Sequence, residues 1–213
     1  YGCQNVPIRL QFVSMKSILP YICCLILSLL IAHFRLGPSM LSPADFIIGG
    51  WGHPDNLGNH WLLVWVAENV SAGTSIIHND QYYVPFGDYP WLAGNGSEGI
   101  LFWPFYSIFG WPVGVSILLT VLFVATGFAG FALGRVTGAG PWLSLVPSSI
   151  ILSTPYLSRE LSGGRFSQFD IFWLTAALAT FLWIWKKPYW HIATICGVFV
   201  GITSILYWYY GFF

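Results

Sequence analysis

The stretch "PVGVSILLTVLFVATGFAGFALGR", Pro112 to Arg135, decides how the rest of the chain is read. It holds no charged residue before Arg135, which closes it, and its span, 112–133, meets the roughly 20 mostly apolar residues that a helix needs to cross a bilayer. The surrounding sequence agrees with a membrane setting. Only 8% of the 213 residues are charged, 56% are hydrophobic and 19% are aromatic, a balance that belongs to integral membrane proteins. Net charge is zero, and neither a basic run nor zinc-type Cys/His spacing is present, so nucleic acid is set aside as a partner. Cys23, Cys24 and Cys196 fall inside apolar runs and, with Cys3, form no disulfide framework.

Working outward from that stretch, four further segments read as spans. They are 17–34, between Lys16 and Arg35; 141–156, weaker and either short, tilted or partly broken by Pro147; 171–185, stopped by Lys186-Lys187-Pro188; and 190–213. The first run is long enough to span and lacks a small-x-small cleavage site, so it is not read as a signal peptide. The expected architecture is an all-α polytopic membrane protein, a single transmembrane domain over 1–213 with about five transmembrane helices. The opening at Tyr1 and the close at Phe212-Phe213 read as the amino-terminal portion of a longer protein. Short cytoplasmic loops carry an excess of Lys and Arg, which places the N-terminus inside together with Arg9, Lys16, Arg135, Lys186 and Lys187. Every Asp and Glu then falls on the outer side, with Arg35, Arg159 and Arg165.

The first outer loop, 36–100, is too long for a simple connection and too aromatic for a disordered linker. Within it, "PDNLGNHWLLVWVAENV" (54–70) reads as a helix whose apolar stripe, Leu57, Trp61, Val64 and Trp65, suits the membrane interface. Asp55 or Asn56 is its expected cap. Turn-dense sequence follows over 75–99, and "ILFWPFYSIFGWP" (100–112) reads as a second juxtamembrane helix.

The order of "PDNLGNHWLLVW", "QYYVPFG", "NGSEG", "STPYLSRE" and "ILYWYYGFF" resembles the amino-terminal part of bacterial and archaeal membrane glycosyltransferases of the C-type superfamily (GT-C). The resemblance runs from about Phe34 to Phe213. It implies transfer of a sugar from a polyprenyl-phosphate donor to an acceptor on the extracytoplasmic face of the plasma membrane. By position it makes Asp55 the base for the acceptor hydroxyl and Glu98 the acidic member of a Ser-Glu element. The adjacent acidic pair of better-known members is missing at the loop start.

Such a transfer needs a base at the attacking hydroxyl and positive or hydrogen-bonding groups at the departing phosphate. Asp55 serves either as that base or as a helix cap, and Glu98 either joins it or meets water from a flexible turn. A guanidinium matches phosphate in two-pronged fashion, so Arg165 and then Arg159 are the candidate lipid-phosphate contacts. The competing reading is an Arg159–Glu160 or Arg165–Asp170 ion pair, or a contact with lipid headgroups. Gln168 and His60 complete the candidate substrate contacts. No cofactor is certain. The one divalent-metal option, His53, Asp55 and His60, fits no helical pair of ligands. Two rivals remain: a transporter or lipid flippase, weakened by the lack of charge in the span cores, and a noncatalytic module that binds lipid or protein through its aromatic loop.

Overall fold

The structure is a computed structural model that describes residues 15–49, 54–78 and 96–206. Within these residues every regular element is helical. The order is α1 (Met15–Leu36), α2 (Pro38–Leu41), α3 (Pro54–Ala72), α4 (Gly96–Phe109), α5 (Val113–Thr137), α6 (Leu145–Ser153), α7 (Pro155–Ser162), α8 (Phe166–Phe169), α9 (Phe172–Lys186) and α10 (Trp190–Leu206). Among the described residues three segments are long and apolar enough to cross a membrane, namely Ile18–Leu36, Val113–Thr137 and Phe166–Lys186, and α10 is a shorter apolar helix of 17 residues.

The opening stretch forms α5, and α1, α4, α6 and α9 all pack on it. Its length follows from an uninterrupted apolar sequence, and its end from Gly138. That residue takes φ 103°, while Gly138 and Ala139 return their N–H groups to the carbonyls of Arg135 (3.2 Å) and Gly134 (3.0 Å). This is the left-handed glycine cap that closes many helices.

One face of α5 is made of small residues, and it sets the approach of its neighbours. A Cβ on Gly127 would strike the Ser28 hydroxyl of α1; one on Gly130 would lie 2.8 Å from the Ser148 Cα of α6; one on Gly134 would lie 2.9 Å from the Ser144 Cα. Small residues let helix backbones come close enough for dense van der Waals contact, which is what drives association in lipid.

Side-chain pairs fix the helix directions. Tyr21 meets Phe131 with ring centroids 5.0 Å apart, and Ser28 faces Gly127, so α1 and α5 are antiparallel. The steps Ser144–Gly134, Ser148–Gly130 and Leu152–Gly127 run α6 back along α5. Phe169 meets Phe123 at 4.9 Å, and the Lys186 ammonium donates to the Val136 carbonyl, so α9 is parallel to α5. Finally α10 returns along α9 through Phe199 on Trp173 (6.0 Å) and Cys196 on the Ala177 carbonyl (3.7 Å).

The expected third span, 141–156, takes the short form, with its break at another proline. Its helix, α6, has nine residues and so rises only ~14 Å, about half of a ~30 Å hydrocarbon core. The break comes at Pro155 rather than Pro147. Pro147 sits in the first turn of α6, where a missing N–H costs nothing, and Pro155 pushes Thr154 to an extended ψ of 136° before opening α7 as its first residue. At this break the Arg35 guanidinium donates to the Ser153 carbonyl (3.0 Å) and to the Ser158 hydroxyl.

Of the stripe expected to face the membrane on the first-loop helix α3, Leu57 points outward and Trp61 and Val64 are partly buried, while Trp65 is buried in the bundle. The buried face of α3 is Asn56, His60, Leu63, Trp65, Val66 and Ala67. Val66 meets Gly99 of α4, and Trp103 and Tyr106 of α4 donate to Ser71 (2.9 Å) and Glu68 (3.0 Å). The stripe read from Leu57 to Trp65 neglected the polar residues that this face encloses.

Replacing Gly130 by Val forces the α6 backbone away from α5, and overpacking of this kind costs about 1–3 kcal/mol. The purified G130V protein is therefore expected to melt several degrees below the parent. V121L, at an exposed position of the same helix, is expected to melt with the parent in the same detergent.

Candidate functional site

The helix directions bring the end of α1, the starts of α3, α4 and α9, and the far end of α10 to one end of the bundle. Ser97 there donates to the Ile205 carbonyl at 3.4 Å. Asn56, His60, Glu98, Glu160 and Asp170, all buried, lie at this end, with Arg35 and Arg165. Arg135, Lys186 and Lys187 occupy the other.

The start of α3 is held in place by two glycines. Asn56 is buried with its side chain between Gly49 and Gly164, and a Cβ on either glycine would collide with it. Gly164 also has φ +66° and sits so close that its Cβ would lie 2.7 Å from the Asn56 Cα. This packing places the first turn of α3 directly against the α7–α8 turn that carries Arg165. The helix begins at Pro54, so Asp55 lies inside the first turn, the favoured place for an acidic residue against the helix dipole. The Asp55 side chain lies outside the described residues, as do His53, Asp80 and Asp88.

Arg165 is half-buried, and its Nε donates to Glu160 Oε2 at 2.6 Å. Neither of the ion pairs expected from the sequence is this one: Glu160 pairs with Arg165, five residues on, because Arg165 closes the turn after α7 with its N–H on the Glu160 carbonyl (2.9 Å). The pair fixes the plane of the guanidinium. Arg159 is exposed on α7, and Gln168 is partly buried on α8.

His60 has a defined role in packing. Its Nε2 donates to the Ile48 carbonyl (2.8 Å), and its Nδ1 accepts from the Trp111 indole (3.0 Å), so the ring is the neutral Nε2–H tautomer. Burial lowers its pKa, opposed by the bond to Ile48. The ring meets Phe166 edge-on at 4.9 Å. With both nitrogens engaged, His60 serves as a clamp between α3, the preceding segment and α8, and offers no nitrogen to a phosphate or a metal. Among the described residues no group of three or more His, Cys, Asp or Glu side chains is placed to hold a metal ion.

Glu98 occupies the first turn of α4 rather than a flexible loop, and it points into the bundle. Glu98 and Asp170 share the lining of a cavity of about 10 Å³ with Leu63, Leu119 and Phe166, room for about one water. Neither carboxyl oxygen of Glu98 has a hydrogen-bond partner, and neither does Asp170 Oδ1, whereas Asp170 Oδ2 accepts from the Trp173 indole (2.9 Å). Burial raises the Glu98 pKa to about 8, and the charge of Asp170 adds to the rise. Its own backbone N–H and the Ser167 and Ser97 hydroxyls oppose it, although neither hydroxyl makes a hydrogen bond of normal geometry to a carboxyl oxygen. Near neutral pH Glu98 is thus mostly a protonated acid, able to donate. Asn56 and Asp170 were not foreseen as site residues; the Gly163-Gly164 pair was the sequence signal for a close approach.

Two measurements check this geometry. A carboxyl whose pKa rises from 4.5 unfolded to about 8 folded binds its proton more tightly when folded. Its contribution is then fully present below pH ~4.5 and is lost as pH rises toward ~8. The melting temperature is expected to fall across that window, and E98Q to flatten the fall. G164A is expected to cost more than ~1 kcal/mol, since alanine is strained at positive φ and strikes Asn56; a melting temperature equal to the parent's would contradict the close approach.

Comparison of the chain with protein-family models, with curated proteins and with solved structures finds no match in any of the three.

Proposed function

We propose that this chain belongs to a GT-C-like membrane glycosyltransferase that moves a sugar from a polyprenyl-phosphate donor to an acceptor on the extracytoplasmic face. In this reading α1, α5, the α6–α7 pair, α8 with α9, and α10 carry the chain across the bilayer five times. The parallel course of α5 and α9 supports it, because the connection between them has to return to the starting side. The end with Arg135, Lys186 and Lys187 is cytoplasmic by the charge bias of short loops, which turns Asp55, Glu98 and Arg165 outward. The donor's lipid-borne phosphate then arrives at the membrane surface on the same side.

The observation that carries the proposal is the contact of Asn56 with Gly164, which sets the first turn of α3 beside the Arg165 turn. A carboxylate and an oriented guanidinium are the two groups that the transfer requires at adjacent places. Asp55 takes the proton from the acceptor hydroxyl as its oxygen bonds to the anomeric carbon. The bond from that carbon to the donor phosphate breaks, and the phosphate leaves with the electron pair, its charge met by Arg165 and, further out, Arg159. Gln168 lies on the same turn as a hydrogen-bonding neighbour.

A transporter remains the second reading, and one observation favours it. The sequence left the span cores free of charge, yet Asp170 falls within the apolar segment Phe166–Lys186 and is buried with Glu98. Buried carboxyls inside a bundle are the usual mark of a proton or ion path.

The two readings separate in one experiment on the full-length protein in proteoliposomes. Sugar transfer from a polyprenyl-phosphate donor is expected to fall by roughly 100-fold or more in D55N, the scale for loss of a general base. R165A is expected to fall comparably, and E98Q to keep measurable transfer. Near-parent turnover by D55N would remove Asp55 as the base. Proton-coupled flux that E98Q abolishes and D55N leaves intact would instead establish the transporter.

A further inference from the structure

At the end of the bundle opposite Asp55 and Glu98, α5, α9 and α10 leave a groove of about 870 Å³ between them. Its volume lies within the ~300–1,000 Å³ range of small-molecule sites. The groove exists because the facing side chains are small: Ala125, Ala129 and Ala132 on α5, and Ala176 and Ala179 on α9. Phe172 and Phe199 close its inner end, and Arg135, Lys186 and Lys187 stand at its mouth. No carboxylate lines it among the described residues. From Phe172 to Lys186 it follows fourteen residues of α9, or ~21 Å, which is about two thirds of a ~30 Å hydrocarbon core.

We infer that this groove binds an anionic phospholipid from the leaflet on the Arg135 side, its acyl chain against the alanine faces and its phosphate at the three basic residues. Each part of the groove matches a part of that ligand. The groove opens at the basic end and stops short of the full hydrocarbon core, which suits an acyl chain and is too short for a full spanning helix. The walls are apolar and lined by small residues and rings. Three cations without a lining carboxylate favour a headgroup with net negative charge over a zwitterionic one. Arg135 and Lys186 are anchored at their places by backbone carbonyls, Arg135 on Ala139 (2.6 Å) and Lys186 on Val136. An arginine has five donors and a lysine three, so one bond to a carbonyl orients each cation toward the mouth without exhausting it. The site is separate from the sugar-transfer reading and stands or falls independently of it.

The test uses the full-length protein in nanodiscs or detergent, with phosphatidylglycerol and phosphatidylcholine as probes and native mass spectrometry of retained lipid as the readout. The parent is expected to retain phosphatidylglycerol in preference. Neutralising the mouth with R135Q, K186Q and K187Q is expected to lower the phosphatidylglycerol affinity by roughly fivefold per charge removed, leaving phosphatidylcholine unchanged. A132W, which fills the groove from an exposed position, is expected to reduce retention of both lipids. Unchanged melting temperatures identify variants that have folded. Equal retention of the two lipids by the parent, or undiminished phosphatidylglycerol binding in folded A132W, would overturn the inference.

Discussion

Gly127, Gly130 and Gly134 let three serines of neighbouring helices come within touching distance of the α5 backbone, and the rest of the bundle is positioned from there. Helices in hydrocarbon gain little by trading lipid for protein, so close packing and interhelical hydrogen bonds have to supply the association. Because α6 seats its serines on this face, its end and the Thr154 break are fixed along α5. From that break α7 brings the Gly163-Gly164 turn against Asn56, and α8 then delivers Asp170 beside Glu98. A chain of contacts thus links packing at the centre of α5 to the arrangement at one end of the bundle.

Much of this was legible in sequence where apolar runs are long. The expected spans 17–34, 112–133 and 171–185 coincide within a few residues with α1, α5 and α9, because an uninterrupted run with charged ends leaves little choice of period or length. The two helices of the first loop were legible by other signals, α3 by apolar residues at helical spacing behind a capping sequence and α4 as a short apolar run. The segment from 141 to 170 was not. Its helices are four to nine residues long, and their boundaries come from Pro155 and Gly164 acting against a particular neighbour rather than from periodicity.

The site divides the same way. Asp55, Arg165 and Glu98 stood out as outward charges in an apolar chain. Their partners did not, since nothing in spacing tells that Glu160 reaches Arg165 or that Asn56 fits between two glycines. The inward face of α3 was not foreseen for a related reason: the stripe through Leu57 and Trp61 was read for the membrane, and periodicity said nothing of what the opposite face packs on. Here the buried face includes His60, whose two nitrogens are satisfied by a carbonyl and an indole, and a satisfied polar ring is tolerated inside.

Arg35 is the first of the three arginines on the acid-bearing end, against the usual distribution of positive charge. Its bond to the Ser153 carbonyl gives that exception a cause. A helix that stops partway through a bundle strands its last carbonyls where water is scarce, and each stranded group is costly in a low-dielectric setting. A guanidinium reaching over from α1 supplies the donors that the missing next turn of α6 would have given. Charge placement in this chain thus records where the backbone is interrupted.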